Sequence, residues 1–139
     1  MFTRCHPCRQ GTFSTTPTNK CTICPPGTTN KGYSRISCDP CQAGTYSTGG
    51  TFTCRTCPIG SVAPSAGASS CTPCAKGTYS SADGLVCTSC AAGTYSNTTG
   101  SSTCAVCPVG SVAPSSGASS CTPCEKGTYA ATAGSDCVR

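Results

Sequence analysis

Apolar side chains fall singly along this chain and seldom in runs. Phe13, Tyr46, Tyr79, Tyr95 and Tyr129, with Val62 and Val112 in the same role, each stand two residues after a glycine. Around them the polarity alternates, as in Gly44-Thr45-Tyr46-Ser47, and nothing recurs at the three-to-four-residue spacing of an amphipathic helix. The pattern predicts short strands broken by turns and no helix of any length. The glycines are Gly11, Gly27, Gly44, Gly60, Gly77, Gly93, Gly110 and Gly127, each three residues after a cysteine and each followed by Thr or Ser. Glycine at a fixed offset implies a tight turn or a close backbone approach. Thr29 alone puts a polar residue where the other segments put a ring or a valine. A second glycine precedes the next cysteine pair in seven of eight segments, Pro17 taking that region in the first, and is read as a further chain reversal.

These segments are one internal repeat. Cys-x-x-Cys pairs begin at Cys5, Cys21, Cys38, Cys54, Cys71, Cys87, Cys104 and Cys121, with Cys137 opening a ninth, at steps of 16 or 17 residues. The whole of residues 1–139 reads as one continuous array, and 38–86 and 87–136 as a block duplication. Within that block, 54–74 and 104–124 agree at 17 of 21 positions. Because Met1 is followed at once by repeat sequence and Cys137 stands near the end, the chain is expected to be a fragment of a longer array.

Composition removes the usual source of stability. Leu, Ile, Val and Phe together number thirteen and Trp is absent, whereas cysteine numbers 17 of 139 residues. A domain of this length ordinarily buries about two-thirds of its unfolded surface through such apolar side chains. Cross-links or metals must substitute for them here. Intrinsic disorder suits the 43 Ser and Thr residues, but the regular cysteines argue against it.

Two disulfide schemes fit the spacing. In one, consecutive pairs interlock, first with first and second with second. In the other, the second cysteine of each pair bonds the first of the next. The duplicated block is three repeats long, and interlocking would give its two copies opposite partners, with Cys38 bonding forward and Cys87 backward. The consecutive scheme treats all copies alike and is favoured: Cys8–Cys21, Cys24–Cys38, Cys41–Cys54, Cys57–Cys71, Cys74–Cys87, Cys90–Cys104, Cys107–Cys121 and Cys124–Cys137. Cys5 is left to an upstream partner. A closed loop of this size is worth about 3 kcal/mol in the chain-entropy account.

The string C-x-x-G-T-Y with a cysteine 13 or 14 positions on resembles the single-disulfide module of tumour-necrosis-factor receptors. The tandem form C-x-x-C-x-x-G-T-Y-S is similar to ephrin-receptor-like cysteine-rich repeats, and the resemblance covers residues 5–137. It implies an elongated, disulfide-laddered extracellular segment with, in the receptor module, the same consecutive bonding. The two-disulfide modules of the cytokine receptors are missing from this sequence, which argues against cytokine binding. The expected fold is therefore small and disulfide-rich: an elongated, solenoid-like rod of eight one-disulfide repeats of 16–17 residues, built of short strands and turns. Each repeat is expected to touch only its neighbours.

The net charge of +5 gathers toward the N-terminus, where residues 1–55 hold Arg4, Arg9, Lys20, Lys31, Arg35 and Arg55 against Asp39. Single, spread charges read as a solvated face, and no basic run points to nucleic acid. No stretch is apolar enough for a signal peptide or a membrane span. Cys-x-x-Cys pairs 12 or 13 residues apart also match structural zinc spacing, so a tetrathiolate array is a third reading. Redox catalysis lacks the surrounding βαβ pattern, and His6 lacks the partners of a catalytic set. No catalytic residue, cofactor or metal is assigned. Asn97-Thr98-Thr99 fits the N-glycosylation acceptor pattern. The Ser/Thr loops and the two SVAPS copies, 61–65 and 111–115, are candidate O-glycan or modified-proline sites.

Three readings follow for a protein of the secretory pathway, at the cell surface or outside the cell. The first is a non-enzymatic spacer, fibre or surface-coat element whose partners are other copies or segments of the same assembly. The second is a receptor stalk or adhesion module binding a protein or glycan through the basic stretch 24–35. The zinc array is the third.

Overall fold

Each Gly-Thr or Gly-Ser step closes a turn on itself. The hydroxyls of Thr12, Thr28, Thr45, Thr78, Thr94, Ser111 and Thr128 donate to the carbonyl three residues back, at 2.7 or 2.8 Å. Such side-chain-to-backbone bonds fix turns that compete with regular structure, and at these seven turns they account for the hydroxyl residue after the glycine. The chain then runs extended for two or three residues and pairs with the middle of the next Cys-x-x-Cys.

The computed structural model describes residues 7–16, 20–33 and 36–139. Among them the regular structure is seven antiparallel two-stranded pairs and no helix. The chain divides into two compact units, 1–57 with 63–71 and 58–62 with 72–139. In the first, β1 (Thr12–Phe13) pairs with β2 (Thr22–Ile23), β3 (Thr28–Thr29) with β4 (Asp39–Pro40), and β5 (Thr45–Tyr46) with β6 (Arg55–Thr56). In the second, β7 (Ser61–Val62) pairs with β8 (Thr72–Pro73), β9 (Thr78–Ser80) with β10 (Cys87–Ser89), β11 (Thr94–Tyr95) with β12 (Ala105–Val106), and β13 (Ser111–Val112) with β14 (Thr122–Pro123). Isolated two-residue pairs are too short to hold on their own; each here is closed by a covalent link. The chain is a small, disulfide-rich fold of eight one-disulfide repeats without a closed sheet.

The bridges join Cys8 to Cys21, Cys24 to Cys38, Cys41 to Cys54, Cys57 to Cys71, Cys74 to Cys87, Cys90 to Cys104, Cys107 to Cys121 and Cys124 to Cys137. Cα–Cα distances of 5.6–5.8 Å lie in the unstrained range. The second cysteine of a pair is the innermost atom group: Cys24, Cys74, Cys90 and Cys107 are fully buried. What covers them is backbone. In the first unit the N–H groups of Cys24, Cys41 and Cys57 donate to the carbonyls of Gly11, Gly27 and Gly44, at 2.9–3.0 Å. In the second, Cys74, Cys90, Cys107 and Cys124 donate likewise to Gly60, Gly77, Gly93 and Gly110, at 2.8–2.9 Å.

The rings cover less than their size suggests. Phe13, Tyr46, Tyr79 and Tyr95 are half-buried and Tyr129 is exposed. The buried position is the next one, occupied by Asn30, Ser47, Ala63, Ser80, Ser96, Ala113 and Ala130. Its carbonyl accepts from the turn glycine of the preceding repeat, as in Gly27 to Ser47 at 2.7 Å and Gly77 to Ser96 at 2.8 Å. At Gly60 the Ser80 hydroxyl accepts instead, at 2.8 Å. A large side chain at this position would push the two backbones apart.

Contacts reach past the adjacent repeat, contrary to the nearest-neighbour expectation. Late glycines donate to the cysteine carbonyl one repeat back, as from Gly67 to Cys41 and from Gly100 to Cys74, both at 2.7 Å. Their own carbonyls press on turn glycines two repeats back. A Cβ on Gly27 would sit 2.1 Å from the Gly67 oxygen, and one on Gly60 would sit 1.9 Å from the Gly100 oxygen. The small cross-section of the repeat is the reason: with no side-chain layer between them, alternate turns meet backbone to backbone.

One loop departs from the pattern. In 81–86 the Asp83 carboxylate accepts from the Ser81 hydroxyl and from the Leu85 N–H, the latter at 3.0 Å, and Gly84 N–H donates to the Ser81 carbonyl. These bonds, the serine's first, hold the Asp83 carboxyl below its ordinary value of 3.8.

Two outcomes are expected. Gly60→Ala and Gly67→Ala both place a side chain at positive φ, costing about 1–2 kcal/mol, but only Gly60→Ala also collides with backbone. Thermal unfolding of the oxidised proteins will show a clearly larger loss for Gly60→Ala, whereas equal losses would contradict the close approach. In a pH titration followed by NMR, the Leu85 amide proton will move as Asp83 protonates. Its midpoint will lie below 3.8, and the loop's contribution, intact above that value, will be lost as the pH falls through the lower one.

Candidate functional site

Every cysteine among the described residues is spent in a bridge, and no group of three or more His, Cys, Asp or Glu side chains gathers there as a metal site. Disulfide sulfur offers no thiolate to zinc or to redox exchange chemistry. Cys5 and His6 lie outside the described residues. No helix among those residues is long and apolar enough to cross a membrane.

The acceptor segment at Asn97 is a turn whose tip is open. Ser96 is buried and its hydroxyl donates to Ser101 Oγ at 2.6 Å, the Ser101 hydroxyl donates to the Thr98 carbonyl at 3.0 Å, and Thr98 Oγ1 lies 3.0 Å from the same Ser101 oxygen. Asn97 and Thr99, the two residues an acceptor site needs, are exposed. In both SVAPS copies the alanine is buried (Ala63, Ala113), while Pro64, Ser65, Pro114 and Ser115 face solvent.

The stretch 24–35 is divided by its fold. Cys24, Gly27, Thr29 and Asn30 are buried, whereas Pro25, Pro26, Lys31 and Tyr33 are exposed, and residues 34–35 lie outside the described set. Among the described residues Asn30 is the largest fully buried side chain, and both ends of its amide have partners. Its Nδ2 donates to the Thr12 carbonyl at 2.7 Å, its Oδ1 accepts from Gly32 N–H at 3.0 Å, and its carbonyl accepts from Gly11 N–H at 2.9 Å. A half-satisfied amide at such a site would be costly. The full set instead pins the backbone on which Lys31 is carried.

Beside that backbone lies an open groove of about 470 Å³, lined by Thr29, Lys31, Asp39, Gln42, Thr45 and Thr53, with Pro40 and Cys54 completing its wall. It belongs wholly to the first compact unit. Thr29, the exception among the ring positions, reaches Cys54 Sγ with its hydroxyl at 3.7 Å. The sequence reading marked 24–35 as a surface without naming Asp39, Gln42, Thr45 or Thr53. The signal that could have found them is the pairing of a Gly-Thr segment with the next Cys-x-x-Cys, which sets Thr29 opposite Asp39.

A family model described as tyrosine-protein kinase ephrin type A/B receptor-like matches residues 44–84 and, in tandem, 77–120. No curated protein matches the chain. The matched stretches are those in which the turn glycine, the hydroxyl residue and the bridged cysteines recur, and with the many disulfides they point to an extracellular or cell-surface, receptor-type segment. Matched over more than half its length by two successive copies of that repeat, the chain belongs to the ephrin type A/B receptor-like family.

Proposed function

We propose that this chain is a non-enzymatic structural segment of an extracellular or cell-surface protein: a stiff spacer, or an element of a fibre or coat, N-glycosylated at Asn97. The carrying observation is the identical Gly–Cys hydrogen bond at seven turn glycines, Gly11 through Gly110, each beside its own disulfide. A repeat so uniform spends its chemistry on holding the next repeat. Its rings are only half-buried and its surface is hydroxyl-rich, which suits a segment kept in water over its length. Its partners on this reading are other segments of the same assembly.

If each repeat advances by two strand spacings, about 10 Å, eight repeats extend about 80 Å. Small-angle scattering of the oxidised chain will then give a radius of gyration of about 23 Å, the value for a thin rod of that length, against about 14 Å for a globule of equal size. The globular value would rule out the spacer. Secreted from eukaryotic cells, the protein will lose mass on amidase deglycosylation, and Asn97→Gln will abolish that loss. An unmodified Asn97 in the secreted protein would remove the glycan from the proposal.

A further inference from the structure

The groove beside Thr29 goes beyond a spacer's needs, and we propose that it is a binding site for a neutral sugar residue of a glycan. Repeats one and three to eight fill the ring position with Phe13, Tyr46, Val62, Tyr79, Tyr95, Val112 and Tyr129. Only the second repeat opens it, through Thr29. The registers are equivalent: Thr29 lies opposite Asp39 as Tyr46 lies opposite Arg55. A ring at position 29 would therefore project toward the space that the groove occupies.

The floor and walls are held before any ligand arrives. Asn30 fixes the backbone on one side, and Gln10 Nε2 donates to the Lys31 carbonyl at 3.0 Å. On the other side Thr45 Oγ1 donates to the Gln42 carbonyl at 2.7 Å, which leaves that hydroxyl's lone pairs to accept. The backbone that carries the lining side chains is thus positioned in advance.

The lining decides the ligand class. A metal ion needs several oxygen ligands of matching charge, and Asp39 is the one carboxylate lining the groove. A sulfate or phosphate would meet Lys31 together with that carboxylate, so attraction and repulsion offset each other. An apolar ligand wants walls that are mostly hydrophobic, and a protein loop wants an interface of about 800 Å² per partner. What remains is a group whose hydroxyls both donate and accept. Lys31 donates, Asp39 and the Thr45 hydroxyl accept, and Gln42 and Thr53 do both, while the Pro40 ring offers carbon to a sugar face. A groove this open would hold a single sugar residue weakly, which suits a repeated or surface-bound glycan.

The test is NMR titration of the intact, isotope-labelled, disulfide-bonded chain with methyl α-mannopyranoside, methyl β-galactopyranoside and N-acetylglucosamine, each to about 50 mM. At least one is expected to give saturable shifts centred on Lys31, Gln42, Thr45 and Thr53. Thr29→Tyr, which installs the residue of the sister repeats, is expected to weaken that binding at least about tenfold while the other repeats keep their spectra. Gln42→Ala, an exposed change, is expected to weaken it several-fold. Absence of shifts with all three sugars, shifts centred elsewhere, or undiminished binding by Thr29→Tyr would overturn the proposal. So would equal binding of sodium sulfate at the same residues, which would make the groove an anion site.

Discussion

A disulfide in this protein does its work only because a glycine carbonyl is waiting beside it. The bridge brings the second cysteine of one repeat to the first cysteine of the next, and the buried cysteine's own N–H then meets the carbonyl of the turn glycine behind it, as Cys74 meets Gly60 at 2.8 Å. Cross-linking lowers the entropy of the unfolded chain, but it does not by itself choose a conformation. The hydrogen bond chooses it. Each feature of the repeat serves this meeting: the glycine's positive φ aims its carbonyl, the following hydroxyl locks the turn, and the small residue after the ring lets the neighbouring backbone come within bonding distance. Burial here is chiefly burial of sulfur and main chain, so the scarcity of leucine and the want of tryptophan are no handicap.

The strand-and-turn architecture and the lack of helix were legible in the alternation around Gly-Thr-Tyr-Ser, because a period of two is a local signal. The place of the core was not. By size, Tyr46, Tyr79 and Tyr95 look like the core, yet Ser47, Ser80 and Ser96 are the more buried. Hydrophobicity scales rank serine as surface, and only the recurrence of Ser or Ala at that position, with Asn30 the exception, hints that backbone is approaching. The two-repeat reach of the late glycines was hidden for a related reason. Solenoids are ordinarily thick enough for side chains to separate alternate turns, and nothing in a cysteine spacing says how thin a repeat will be. The groove was half legible: Thr29 announces itself as an exception, but Asp39, Gln42 and Thr53 come to it only through strand pairing and bridge closure.

The uniform and the exceptional repeats divide the chemistry between them. Where the grammar is kept, the backbone is fully engaged with the repeats around it and the outward face is left to hydroxyls and prolines. Where it is broken, at Thr29 with Asn30 and again in 81–86, side chains supply part of the backbone's hydrogen bonding. Asp83 and Asn30 play the same part in different ways. Asp83 accepts from Leu85 within its own loop, whereas Asn30 accepts from Gly32 and also donates across to Thr12 of the preceding repeat.

Because the late glycines Gly50, Gly67, Gly100, Gly117 and Gly134 all offer the same main-chain carbonyl to the same kind of turn, the docking rule carries no label that tells one of these copies from another. Crossover between misaligned gene copies can therefore lengthen or shorten the array at any boundary and still leave each turn a partner of the right form. A chain whose cohesion resided in interlocking side chains would need compensating substitutions after every such event. Here copy number can change without such compensation, and a copy that departs from the rule, like the one bearing Thr29, need not disturb its neighbours' turns.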